Sequence, residues 1–531
     1  MPTAPRSPSP RSRARSTPAR MPAGNPPAMT AHAPAMRVLH VCAELFPLLK
    51  TGGLADVAGA LPVAQRKLGA DARVLLPGFP AILAGLVDAA EIARIPLPWQ
   101  TRWGEPAEAR LLLGHLPLAN GSRLPLYAID APHLYERPGN PYADEHQHPY
   151  GDNHRRFALL GWTGALLAQG LDAQWRAECV HGHDWHAGLT AAYLAQARMH
   201  RHQRIAGSVF TVHNLAYQGL FDARHLPELG LPPRFYDMDG LEFYGQISFL
   251  KAGLHYSDRI TTVSPTYARE IQTPEQGEGL DGLLRQRAGE LDGILNGIDV
   301  QAWDPATDPT LAGAFDAAHP EAKAADKLAL QQAFGLAPQA DAPLFVVVSR
   351  LTGQKGLDLV LGQLDAIVSR GGQLALLGSG DAGLEAGFRA AAQSRPEAVG
   401  VRLGYDEALA HRMFAGGDVV LVPSRFEPCG LTQLYGMRYG CLPLVRRVGG
   451  LADTVVDSTL EELADGRATG FVFERFDGED FGNAVRRAFA LYRRKDAWRQ
   501  VQRHAMTLDF GWESPARAYL ALYRPLVEAA R

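Results

Sequence analysis

At 531 residues the chain is too long for one ordinary hydrophobic core, so two domains are expected. A hydrophobic share of 46% beside 21% charged residues describes a globular, enzyme-sized protein. The formal net charge of -3 gives no reason to expect nucleic acid or an anionic membrane as partner, and is compatible with a neutral polymer. Cys42, Cys179, Cys429 and Cys441 lie far apart without a CxxC pair, which reads as reduced thiols in a cytoplasmic protein. No uncharged apolar run reaches the length of a membrane span.

Residues 1–35 are rich in Pro, Ala, Ser and Arg, contain no Asp or Glu, and lack the apolar core of a secretory signal. Such a segment is expected to be disordered. A dispensable extension or a misplaced start is preferred, since Met36 directly precedes the first strand; an organelle transit peptide stays open. Strands are expected at Arg37–Ala43, Asp71–Pro77, Glu178–His183, Ser208–His213, Arg259–Ser264 and Leu291–Leu295. Helical stretches such as Leu54–Leu68, Arg155–Gln169 and Leu189–His200 fall between several of them. After a polar, Ala/Pro-rich stretch near Asp304–Asp341 the alternation restarts, with apolar runs at Leu344–Ser349, Gln373–Leu377, Val399–Gly404, Asp418–Pro423 and Leu442–Val445. The fold class is therefore α/β, two doubly wound Rossmann-like domains, with ligands outside the carboxyl ends of the strands.

Two polar loops fit that position. Lys50-Thr51-Gly52-Gly53-Leu54-Ala55-Asp56-Val57 follows the first strand, and Glu427-Pro428-Cys429-Gly430-Leu431-Thr432-Gln433 lies about 370 residues later. Glycines at the start of a helix let backbone N–H groups approach an anion, and the helix terminus adds partial positive charge. Arg350 and Lys355 follow a buried-looking strand, and two cations five residues apart can grip adjacent phosphates, one as a fork and one as a point charge.

These loops carry a resemblance. Together with His183-Asp184-Trp185-His186, His213-Asn214-Leu215-Ala216-Tyr217-Gln218-Gly219, Asn296-Gly297-Ile298-Asp299 and Ser349-Arg350-Leu351-Thr352-Gly353-Gln354-Lys355-Gly356, they match in order the motifs of bacterial glycogen synthase and plant starch synthase. The resemblance runs from about Met36 to the C-terminus. It implies the GT-B architecture: an acceptor-side domain over 36–300, a nucleotide-sugar domain over 301–511, and a final helix within 512–531 that crosses back to the first domain. It also implies the reaction, transfer of glucose from ADP-glucose to the non-reducing end of an α-1,4-glucan with retention of configuration and release of ADP. No cofactor and no metal are implied.

The resemblance assigns roles residue by residue. Arg350 and Lys355 would hold the donor diphosphate, with the amides of Gly430, Leu431 and Thr432 beside Cys429. Glu427 would bind glucose hydroxyls and support positive charge at the anomeric carbon. Lys50, Gly52 and Gly53 would face them from the opposite wall. Asp56 either contacts the nucleotide or caps its helix, the cap being preferred. His213 would lie against the transferred glucose with its backbone carbonyl near the anomeric centre, next to Asn214. Asp184 and Trp185 would line the cleft, Trp185 shaping the sugar pocket. Asn296 would meet the sugar and Tyr405 the base, although a tyrosine packed at a domain edge serves equally for Tyr405. Tyr135–Asn153 is a candidate acceptor surface or an ordinary surface loop.

Two patterns mislead. Gly378-Ser379-Gly380-Asp381-Ala382-Gly383 is a GxGxxG placed in the wrong βαβ unit for dinucleotide binding, and is expected to be a turn lining the donor pocket. His181, His183, Asp184 and His186 suggest zinc, but lack a helical HExxH arrangement. Outside the synthase reading stand a pyridoxal-phosphate glucan phosphorylase, a sucrose-type transferase and a silent glucan-binding protein. Oligomeric state is not legible.

Overall fold

The structure is a computed structural model that describes residues 35–101, 104–201 and 205–530. The expected N-terminal extension therefore lies outside the described residues apart from Ala35. Two sheets organise the remainder. The first has nine strands in the order Leu291–Gly293, Arg259–Thr262, Gly207–Val212, Cys179–His183, Arg37–Val41, Asp71–Pro77, Arg123–Asp130, Glu108–Pro117 and Val87–Pro96. The first seven run parallel and the last two join antiparallel. The second sheet is wholly parallel, ordered Val399–Leu403, Gln373–Gly378, Leu344–Val348, Val419–Val422, Leu442–Arg446 and Phe471–Phe473. Strands such as Leu344–Val348 and Val419–Val422 are apolar and buried because helices cover both faces.

The antiparallel wing over residues 87–130 and a small sheet of Leu220–Asp222, Glu242–Phe243 and Gln246–Ser248 lie outside the expected strands. In Glu108–Pro117 the central run Leu111-Leu112-Leu113 hides the alternation of a half-buried strand, and short hairpin strands carry little periodic signal. The stretch 304–341 also holds a helix, Ala324–Phe334, which packs on Glu407–Gly416.

The helix Glu513–Glu528 buries Ala516, Tyr519, Tyr523 and Val527 against Val38, Val57, Leu61 and Val209 of the first lobe. The chain thus crosses between lobes twice, and the crossings touch: Ile298 N donates to Phe510 O at 2.8 Å. A Cβ on Gly297 would lie 2.9 Å from the Gly511 carbonyl, so only glycine permits that approach.

Candidate active site

The carboxyl ends of both sheets face one cleft. On the first-lobe wall, Gly52 stands at the N-terminus of helix Gly53–Lys67, and a Cβ on Gly52 or Gly53 would meet nothing within 4 Å among the described residues. These glycines are not filling a tight contact with protein, and the space beside them is open to a ligand. The loop is tied down by Glu44, a buried carboxylate that accepts bonds from Thr51 N and Thr51 Oγ1, both at 2.5 Å, and from the Tyr142 hydroxyl. Tyr142 belongs to the 135–153 segment, so Glu44 joins that segment to the Lys50 loop. Lys50 Nζ bonds Asp56 Oδ1 at 2.8 Å, and among the described residues no side chain caps the helix. The preferred role of Asp56 as a helix cap is therefore corrected: it sits inside the first turn and answers Lys50. Burial raises its pKa against the opposing effect of Lys50.

Opposite, Glu427 is 5% exposed and its Oε2 takes bonds from Lys355 Nζ at 2.6 Å and Ser424 Oγ at 2.8 Å. Arg350 is exposed and carries no ion pair among the described residues. After the αL residue Gly430, helix Thr432–Arg438 starts without a side-chain cap, which leaves amides of its first turn for an anion. Asn296 comes from the first-lobe crossing and lies against Cys429, whose thiol burial pushes up to about 12. The Asn296 Oδ1 is buried and has no hydrogen-bond partner among the described residues. A buried carbonyl left so is costly until a donor, such as a hydroxyl, arrives.

Asp184, at φ 56°, opens the short helix after strand Cys179–His183, and its carboxylate accepts from His213 N at 2.7 Å. Burial pushes its pKa up to about 7. Asn214 Oδ1 accepts from Ala216 N, holding the turn after His213. Trp185 is edge-on to Phe157 at 4.8 Å and packs beneath Gly219. Tyr405 is 78% exposed, so it is not packed at a domain edge. It lines an open cavity of about 480 Å³ with Arg402, Gly404, Asp406 and Arg412. The Asp56 charge reaches both Tyr405 and Tyr435, so the two walls are electrostatically in touch there.

The GxGxxG segment pairs with the Arg350 loop, Leu351 N donating to Ser379 O, and Asp381 caps helix Ala382–Ser394. The histidines assemble differently from the zinc pattern. His40 joins His181 and His183 while His186 stacks on Tyr142, and the ring nitrogens of the first three all have protein partners. A metal would have to displace those bonds. Sequence reasoning missed Glu44, Ser424, His40 and Gln65, none of which stands in a short motif with a mechanism of its own.

Paired doubly wound lobes, with cations and an uncapped helix start on one wall and an open glycine loop beside polar histidine turns on the other, define a GT-B glycosyltransferase. Comparison with known proteins narrows this. Residues 37–286 match the starch synthase catalytic domain and residues 342–490 match glycosyl transferases group 1. A glycogen synthase from Variovorax paradoxus is 60% identical over 93% of this chain and 100% of its own length. One from Serratia proteamaculans is 59% identical over 92% and 100%. The catalytic domain of Arabidopsis thaliana starch synthase IV, solved bound to ADP and acarbose, superposes with a TM-score of 0.82 at 32% identity, covering 93% of this chain and 100% of that one. A sucrose-phosphate synthase from Thermosynechococcus elongatus shares the fold at 17% identity and a TM-score of 0.55. The chain belongs to the glycogen and starch synthase family.

Proposed function

We propose that the protein lengthens an α-1,4-glucan by transferring glucose from ADP-glucose with retention of configuration, releasing ADP. The observation that carries this reading is the part-buried Lys355–Glu427 pair at 2.6 Å, set beside an uncapped helix start and the Asn296 carbonyl, unpartnered among the described residues. Similarity to glycogen synthases supports the reaction, and the ADP in the Arabidopsis starch synthase structure supports the nucleotide.

Arg350, Lys355 and the amides of Gly430, Leu431 and Thr432 grip the diphosphate and take up its charge as it leaves. Lys355 serves two anions, because it also holds Glu427. The Glu427 carboxylate, engaged by Lys355 and Ser424, orients glucose through its hydroxyls and stabilises positive charge at the anomeric carbon; it is no free nucleophile. Departure of the phosphate and attack by the acceptor hydroxyl then occur on one face, with the phosphate oxygen receiving the proton. Lys50, Gly52 and Gly53 close on the donor from the first lobe, while His213, Asn214, Asp184, Trp185 and Asn296 shape the glucose pocket. The exposed ring of Tyr405 offers a stacking face to the base. The acceptor runs over residues 135–153, and the protein works in the cytoplasm.

The test is purified protein with glycogen and labelled ADP-glucose or UDP-glucose in parallel. Incorporation with ADP release is expected. Glucose 1-phosphate formed from glucan and phosphate would indicate a phosphorylase, transfer to fructose a sucrose-type enzyme, and no turnover a silent binder.

A further inference from the structure

A buried line of hydrogen bonds connects the C-terminal helix to the cleft. The Tyr523 hydroxyl lies 3.2 Å from Gln65 Nε2 and 2.6 Å from His181 Nδ1. Gln65 Oε1 is 2.8 Å from His40 Nε2, and His40 Nδ1 is 3.0 Å from His183 Nε2. His183 Nδ1 reaches His213 Nε2 at 3.1 Å. Tyr523, Gln65, His40 and His183 are fully buried, so no solvent interrupts the line.

Burial lowers the pKa of His40 to about 4 and of His213 to about 3, and holds His183 well below its ordinary range. Each ring is therefore a neutral imidazole, with one donor nitrogen and one acceptor nitrogen. In such a line one choice propagates. The Tyr523 hydroxyl gives its proton to His181 Nδ1 and so accepts from Gln65 Nε2, which leaves Gln65 Oε1 to accept from His40 Nε2–H. His40 Nδ1 must then accept from His183 Nε2–H, and His183 Nδ1 from His213 Nε2–H. Turning the amide over would reverse every bond and place the proton on His213 Nδ1.

We propose that Gln65 and Tyr523 are positioning residues that set the tautomer of His213, committing its Nε2–H to the relay and leaving Nδ1 as an acceptor for a hydroxyl donor in the cleft. The hydroxyl-bearing ligand rests on the synthase reading, in which it is a hydroxyl of the transferred glucose. The relay itself does not depend on that reading. It carries orientation and no net charge, and it makes the crossing helix part of the site rather than only its brace.

The full chain labelled with ¹⁵N-histidine tests this through long-range proton–nitrogen correlation, His213→Asn assigning the signal. Protonated Nε2 and bare Nδ1 are expected at His40, His183 and His213 at neutral pH. A protonated Nδ1 at His213, an imidazolium at any of the three, or stoichiometric metal among them overturns the proposal. Tyr523→Phe removes the partner that orients Gln65, so both His213 tautomers should appear and kcat should fall with the donor KM little changed. Lowered activity with an unchanged tautomer would mean a merely structural tyrosine and refute the assignment. If the variant does not fold, Gln65→Met is read the same way, and an unchanged His213 tautomer there refutes the assignment. Wild type that shows the expected tautomers but never extends glucan would sink the synthase reading and spare the relay.

Discussion

A carboxylate that is 5% exposed needs donors around it, and Glu427 has Lys355 and Ser424. Glu427→Ala should lower kcat by orders of magnitude while circular dichroism and Tm stay near wild type. Cys429→Ser should be milder, since the thiol is buried and accepts a backbone N–H from Asn296. Buried imidazoles make a second prediction. His40, His181, His183, His186 and His213 are all held below their ordinary pKa of 6.5 by burial. The unfolded chain therefore takes up protons that the native state refuses as pH falls below 6.5, and acid must destabilise the fold. Each such proton steepens the loss by about 1.4 kcal/mol per pH unit. Asp184, with its pKa raised to about 7, works the other way between its ordinary range and 7, offsetting about one of these protons. Urea midpoints should thus drop steeply from pH 7 to 5; a flat profile would contradict buried neutral rings.

Two short helices on opposite lobes cap one another. Asp453, on Gly449–Thr454, accepts bonds from Ser264 Oγ, Thr266 N and Thr266 Oγ1 at the start of Pro265–Glu270. Glu270, at the end of that helix, accepts from Gly449 N at 3.0 Å. Gly449 has φ 43°, and a Cβ there would lie 1.9 Å from the Glu427 carbonyl, so the latch rests directly on the Glu427 turn. Gly449→Ala should displace that turn and cost activity together with stability. Asp453→Ala leaves the Thr266 amide and hydroxyl without their acceptor and should cost about 2 kcal/mol, read as a lower urea midpoint. Most parallel strands were legible from apolar runs, with ends shifted by a residue or two, because strands covered on both faces are continuously apolar. The antiparallel wing was not, because its alternation is broken at Leu111-Leu112-Leu113 and nothing local says where a hairpin will dock.

At the scale of the molecule, the lobes are joined by two crossings that touch at Gly297 and Gly511, a narrow hinge compared with the cleft it serves. Water must be kept from an activated sugar, so ADP should draw the walls together about that hinge. X-ray scattering with and without ADP is expected to show a smaller radius of gyration in the complex. Gly297→Val should raise donor KM and lower kcat together, because a side chain there wedges the crossings apart.

Sequence by itself determined the family, the two doubly wound lobes and the polar loops, because local patterning and ordered motifs write these directly into the chain. It could not assign Asp56 to Lys50, join Glu44 to both Thr51 and Tyr142, or bring His40 and Tyr523 to the cleft histidines. Those relations link residues up to 342 positions apart, as in the His181–Tyr523 bond. The bonds to Tyr523 exist only once the final helix has buried its tyrosines against the first sheet, and burial is what turns ordinary polar side chains into obligatory partners.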